Sequence, residues 1–484
     1  MIPEGAAMSS YNVSDRELRR SLNLNIFAVT FGMVFFTVVG NPIGSAVFNG
    51  FMAKLGAGDL VYSIVLALPV LGGMSQIFGS YFVETTGRRK FIFLSCGIVH
   101  RALWIPVALI PLAFGAAPRD AVIWSITVLI TISSIAASVS SVAFNSWMGA
   151  LVPTDIIGRF FGKRTLVSTL SAMVSALVIG KIVDSVHDMN GFAIVFIGGA
   201  LFGLVDICTF FFIKHPPLPK PEPKDRPSLR AIILEPLKNK NYMRFVTFAT
   251  MLAFSVNVIV PFFNTYMIQT LKMDYFSINL SCTVASGLTT ILVVRQWGVL
   301  ADRFGNKPVV LAGAIFIAVT PLPWLFTSPG HFEMIYVANI VSGLCWSGYN
   351  LAIFNESIWL APERNRSAYT ACFTLFTSAI GTALAYVCGG IFMQYARPFF
   401  DHAHIVMPGG NILNAFFVLL MISVVLRALA VLIFFGRYTE ENSSTTGEMA
   451  GCIGNEIKNT VASRRRFITA RRGRREDDKD GRDE

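Results

Sequence analysis

Apolar windows of roughly twenty residues recur along nearly the whole chain, each long enough to cross a bilayer as a helix. Polar breaks divide them into twelve predicted spans, at about 24–49, 59–82, 90–114, 121–147, 163–186, 191–213, 244–270, 276–300, 308–327, 332–358, 366–394 and 412–436. The spans fall into two sets of six. Between the sets lies a proline-rich stretch, KHPPLPKPEPKDRP, and then SLRAIILEPLKNK, which has the composition of a short interfacial helix. The predicted organisation is a tail at 1–23, a six-helix bundle at 24–213, a linker at 214–241, a second bundle at 242–436 and a disordered polar tail at 437–484.

Composition agrees with an all-α membrane protein. Hydrophobic residues make up 54% and charged residues 14%, against about 25% charged in soluble chains. No signal-peptide cleavage pattern precedes the first span, which is therefore expected to be retained. The seven cysteines (96, 208, 282, 345, 372, 388 and 452) contain no C-x-x-C, lie mostly in apolar stretches and read as small core residues, with no metal site implied.

The net charge of +11 suggests nucleic acid until its distribution is considered. Lys54, Arg119, Lys181, Lys272 and Arg397 fall on one side of the predicted topology, and Arg101, Arg295 and Arg427 fall inside spans. Every other lysine and arginine lies in the tails, in the loops of the opposite side, or at the first one or two residues of a span that follows such a loop or linker. Positive residues collect on the cytoplasmic side. Both termini are thus expected in the cytoplasm, the protein in the plasma (inner) membrane, the lipid bilayer as its surroundings, and nucleic acid not a partner.

The chain also repeats itself. GVLADRFGNKP (298–308) and SYFVETTGRRK (80–90) each sit where one apolar stretch ends and the next begins. In both, an acid (Asp302 or Glu84) precedes a glycine (Gly305 or Gly87) that permits a tight turn, with bases close by. AFNSWMGALVPTDIIGRFFGKR (143–164) likewise returns as IFNESIWLAPERNRSAYT (353–370). The 298–308 segment fits G-x-x-x-D-R-x-G-x-K, and over about residues 20–436 the chain resembles the major facilitator superfamily. The first copy departs from that pattern, with Ser80, Glu84 and Thr85 in place of glycine, aspartate and arginine.

The resemblance implies two pseudo-symmetric six-helix bundles and secondary transport by alternating access around a midplane site. It implies a central cavity lined by the first, fourth, seventh and tenth spans. It also implies that Asp302 faces the start of the fifth span and Glu84 the start of the eleventh. There the two acids would latch the cytoplasmic side, with Arg88, Arg303, Lys307 and Glu356 as supporting charges. The plainer reading is that these residues orient their loops.

Spacing within the spans points the same way as the resemblance. Thr127, Thr131, Ser134, Ser138, Ser141 and Asn145 share one helical face of the fourth span. Thr30, Thr37 and Asn41 do so in the first, Thr250, Asn257, Pro261 and Asn264 in the seventh, and Asn339, Trp346 and Asn350 in the tenth. Such faces line either a wet cavity or another helix. The hydroxyls suit both; Asn41, Asn257, Asn264 and Asn350 favour the cavity, because an amide has four hydrogen-bonding sites to satisfy. Tyr266, Trp346 and Tyr349 offer ring faces for a solute or for packing.

Ionisable residues inside spans are costly unless paired. His100 and Arg101 in the third span and Asp206 in the sixth admit an anion site or proton relay, or a structural Arg101–Asp206 pair away from the cavity; the pair is the preferred reading. Arg427 in the twelfth has no acid in view. The four cavity spans carry no acid at mid-membrane depth, and no Walker-type phosphate loop or hydrolytic arrangement is present. The reading is a monomeric transporter, not an enzyme, for a small, uncharged, sugar-like solute. It has no cofactor, and coupling to H+ or Na+ is left open. The alternatives are an exporter of amphipathic drugs or metabolites and a non-transporting sensor.

Overall fold

The computed structural model describes residues 15–40, 45–114, 118–153, 155–186, 188–214, 235–362, 366–400, 412–440, 447–449 and 451. Among them, twelve helices are long and apolar enough to span a membrane. They are α1 (Arg16–Val38), α2 (Asp59–Val83), α3 (Arg89–Ala113), α4 (Arg119–Leu151), α5 (Ile157–Ser185), α6 (Met189–Phe212), α7 (Lys240–Thr270), α8 (Tyr275–Phe304), α9 (Asn306–Phe326), α10 (Glu333–Trp359), α11 (Ala368–Phe400) and α12 (Ala415–Arg437). Large side chains such as Phe212, Leu292 and Leu432 point outward, as a lipid-facing surface requires.

The first predicted span needs correction. α1 starts inside the expected tail, and the apolar run to 49 is divided: a separate short helix, Ala46–Lys54, follows. Ser45 restarts the helix by accepting the Phe48 amide at 3.2 Å. Asn41, a proposed cavity residue, lies outside the described residues.

The two halves pack alike. α1 packs on α5 and α6, α4 on α2 and α3, and α3 on α6; correspondingly α7 packs on α11 and α12, α10 on α8 and α9, and α9 on α12. Each half has its own aromatic core: Phe35, Phe48, Phe51, Trp104 and Phe196 in the first, Tyr242, Phe245 and Phe248 in the second.

At the hinges, Gly87 has φ +67° and Gly305 φ +90°, values that L side chains rarely adopt. A lysine just past each hinge ties down the end of its own half. Lys90 Nζ donates to the carbonyls of Phe211 and Ile213, both at 2.8 Å. Lys307 Nζ donates to the Tyr438 carbonyl at 2.7 Å and sits over the Tyr438 ring. Each charge therefore meets the negative end of a helix or the chain just beyond it.

The packed chain runs past the expected start of the tail at 437. The Glu440 carboxylate accepts the backbone amides of Asn306 (3.1 Å) and Lys307 (2.8 Å), capping the start of α9. Tyr438 and Met449 are buried in the second core, and burial raises the Tyr438 phenol well above its ordinary pKa. The proline-rich linker at 215–234 and most of the chain beyond 440 lie outside the described residues.

Candidate functional site

The two halves meet at the end of the bundle remote from the hinges, here the far end. Asp184, in the last turn of α5, accepts the amides of Tyr275 (2.8 Å) and Phe276 (2.9 Å), the first two residues of α8. A carboxylate thus meets the positive end of a helix from the other half. Gly180, one turn earlier, lies so close to α8 that a Cβ there would sit 2.8 Å from the Phe276 backbone. Asp59 pairs with Arg397 at 2.9 Å, and Asn49 donates to Thr265 at 2.9 Å. Asn279 donates to the Ala176 carbonyl at 2.8 Å. This seam closes the far end.

The hinge end differs. Asp302 is exposed and, among the described residues, has no hydrogen bond or ion pair. The Glu84 side chain lies outside the described residues. Arg303 stacks on Phe304 at 5.2 Å, and Arg88 is exposed. Glu356 is fully buried beside Lys307 and Glu440, in the second half.

Within the first half lies a cavity of about 520 Å³. Arg101 and Asp206 pair at its wall, both about 5% exposed, and Arg101 also donates to the Gly97 carbonyl at 3.1 Å. The predicted pair is therefore present, and it stands at the wall of this cavity of the first half. α3 and α6 pack together, and the pair joins them. The guanidinium stacks on Phe35 at 5.4 Å, which covers its apolar face.

Around the pair stand His100, Ser138, Ser141, Asn145, Gln76 and Arg164. The Ser133 hydroxyl donates to the His100 carbonyl at 2.9 Å, so the 2.7 Å contact with His100 Nδ1 requires that nitrogen to carry the proton. Gln76, Ser141 and Asn145 are exposed and have no hydrogen-bond partner among the described residues.

Several predicted cavity residues serve the scaffold. Asn257 donates to the carbonyls of Ala253 and Gly381 and to Thr382 Oγ1, bridging α7 to α11. Its acceptors Gly381 and Thr382 lie in a wider, π-type turn of α11, Ala379–Leu384. Tyr266 stacks on Phe416 at 4.2 Å and donates to the Thr327 carbonyl at 3.2 Å, near the far end. Thr37, Thr127, Thr131 and Ser138 bond carbonyls of their own helices. Ser134 is half-buried with no side-chain bond among the described residues. Trp346 packs edge-on against Tyr349 at 5.7 Å, and Tyr349 is buried. Asn264 (buried) and Asn350 (exposed) have no partner among the described residues. Arg427 finds its partner in the Ile317 carbonyl at 2.9 Å.

Sequence reasoning missed Arg164, Gln76 and Asp184. Arg164 was grouped with loop bases, although it lies about two turns inside α5. Asp184 carried one visible signal, an acid at i+4 from Gly180 at the end of an apolar helix.

Two matching six-helix bundles joined at one end, with a polar cavity in the first, have the plan of a membrane transporter. A model of the Major Facilitator Superfamily matches residues 24–294 and 245–472, and the chain belongs to that family. No curated protein matches it significantly. Among solved structures it is similar to a mutant of the nucleoside transporter NupG at 14% identity and TM-score 0.68, covering 86% of this chain and 100% of that one. It is also similar to a bacterial homolog of the human lysosomal transporter Spinster in an inward-facing, unoccupied conformation (14%, TM-score 0.63, 88% and 100% covered). A D-xylose-proton symporter gives 14%, TM-score 0.62, and 88% and 100% coverage. At such identities the likeness establishes the fold alone.

Proposed function

We propose that the chain carries a small, hydroxyl-rich solute of sugar size across the plasma membrane by alternating access, as a monomer with both termini in the cytoplasm. On that orientation the closed far end is extracellular and the described state is inward-facing. The reading rests on polar groups around the cavity that have no partner among the described residues: Gln76, Ser141 and Asn145 offer two amides and a hydroxyl to a ligand's hydroxyls. The cavity volume of about 520 Å³ falls within the range of small-molecule sites. Nothing in that set requires an uncharged solute, since Arg101, Asp206 and Arg164 share the wall.

A second reading, export of amphipathic compounds, is favoured by the rings of Phe36, Phe93, Phe144 and Phe210 in the same wall. Counterflow in proteoliposomes containing the full-length protein separates the two. Exchange of labelled hexoses or their derivatives supports the first. Movement of lipophilic cations without any sugar-class flux would replace it with the second.

A further inference from the structure

Asp206 forms its ion pair with Arg101 and acts on Arg164 only through space, so of the charged residues lining the cavity Arg164 has no direct ion pair among the described residues. Arg164 is nevertheless held firmly. Its Nε donates to Asn25 Oδ1 at 3.0 Å, Asn25 donates in turn to Met148 Sδ, and the guanidinium lies 4.9 Å over the Phe144 ring. Those contacts fix the plane of the group. Its terminal nitrogens have no protein partner among the described residues, although the side chain lines the cavity. A guanidinium with an open pair of terminal nitrogens fits the two oxygens of a carboxylate. A partly buried charge such as Arg164 is stabilised when a counter-charge reaches it.

We propose that the solute is a sugar acid, a hydroxylated ring bearing one carboxylate, with that carboxylate bound by Arg164 and its hydroxyls by Gln76, Ser141 and Asn145. The single charge follows from the balance of the cavity: Arg101, Arg164 and Asp206 together leave one positive charge. A dianion would meet the Asp206 carboxylate without a second free cation. A neutral sugar would leave the terminal nitrogens of Arg164 to water alone. This proposal rests on the transport reading above and narrows it.

The test is counterflow of labelled glucuronate and of labelled glucose in proteoliposomes of full-length protein, with thermal stabilisation by each compound as a readout independent of flux. Glucuronate should exchange and stabilise at concentrations roughly tenfold or more below those needed for glucose, since hydrogen bonds to charged groups are the stronger kind. Arg164→Gln should raise the glucuronate half-saturation concentration by roughly 10- to 100-fold and so narrow the preference over glucose. Arg164→Lys, which keeps the charge but not the fork, should fall between. Glucose moving while glucuronate neither moves nor stabilises overturns the sugar-acid proposal and leaves the transport reading intact. An unchanged glucuronate-to-glucose ratio in folded Arg164→Gln or Arg164→Lys overturns the role of Arg164. If neither compound moves or stabilises, both readings fall.

Discussion

The contact that best exposes the energetics of the cycle is Asp184 on the start of α8. Its two oxygens accept two amides, at 2.8 and 2.9 Å, from the opposite half. Hydrogen bonds to a charged group contribute about 1.5–3 kcal/mol each when well buried. Asp184 is half-exposed and the two bonds share one carboxylate, so about 2 kcal/mol for the pair is a reasonable magnitude. Removing it with Asp184→Ala should shift the balance between far-end-closed and far-end-open states by roughly 30-fold. A closed-to-open ratio of roughly 100:1 would become about 3:1, enough to populate the open state visibly. Asp184→Asn keeps one acceptor oxygen without the charge and should shift the balance by roughly fivefold.

The assay is a distance distribution between nitroxides at Arg119→Cys on α4 and Glu333→Cys on α10, exposed positions at the far end of different halves, with the seven native cysteines replaced. A longer-distance population should appear in Asp184→Ala and be smaller in Asp184→Asn. Arg397→Ala sets the scale, because the Asp59–Arg397 pair is partly solvated and should contribute no more than about 1 kcal/mol. If Asp184→Ala gives the parent distribution while remaining monodisperse, the carboxylate does not hold the seam and the reasoning fails.

Three further outcomes follow from the same contacts. Asp206→Asn leaves Arg101 buried without its acid and should lower stability by about 3–5 kcal/mol, read as a drop in Tm in detergent; Arg101→Met with Asp206→Leu should recover most of it. Gly180→Leu places a side chain where even a Cβ would lie 2.8 Å from the Phe276 backbone, and should wedge the seam apart, seen as faster maleimide labelling of Asn279→Cys. Glu440→Ala uncaps α9 and should cost about 1 kcal/mol, and its effect on Tm should be non-additive with that of Lys307→Ala because both hold the same turn.

The spans and the two-fold plan were legible because both are one-dimensional properties: an apolar run has a length, and a repeat has a spacing. The Arg101–Asp206 partnership was legible for a related reason, since charges inside spans are few and must meet. Its position on a cavity wall was not, because helical periodicity orients a face relative to its own helix only. Asn257 shows the same limit. Its amide needed partners, but the wider turn in α11 that supplies them has no periodic signature in the sequence. Arg164 was hidden by its neighbours: beside Arg159 and Lys163, at the very start of the predicted fifth span, it counted as a loop base, and only the start of α5 at Ile157 shows that it lies about two turns inside the helix.

The hinge motifs have two kinds of charge, and the structure separates their work. Lys90 and Lys307 bind chain ends within their own halves, so they can hold each bundle together through a cycle without opposing it. A gate needs contacts that cross the seam in one state and break in the other. Asp184 provides such a contact at the far end, and its cost must be met by contacts of similar size elsewhere, or the cycle would stop in one state. The counterpart must act at the hinge end and be unengaged in this state. Asp302 meets both conditions among the described residues, and the resemblance implies that it faces the start of α5 in the other state. A carboxylate on a helix N-terminus at each end, with Asp184 on α8 and Asp302 on α5, would match in chemistry and therefore in magnitude. Both contacts would run between α5 and α8, which makes that helix pair the element on which the two states are weighed.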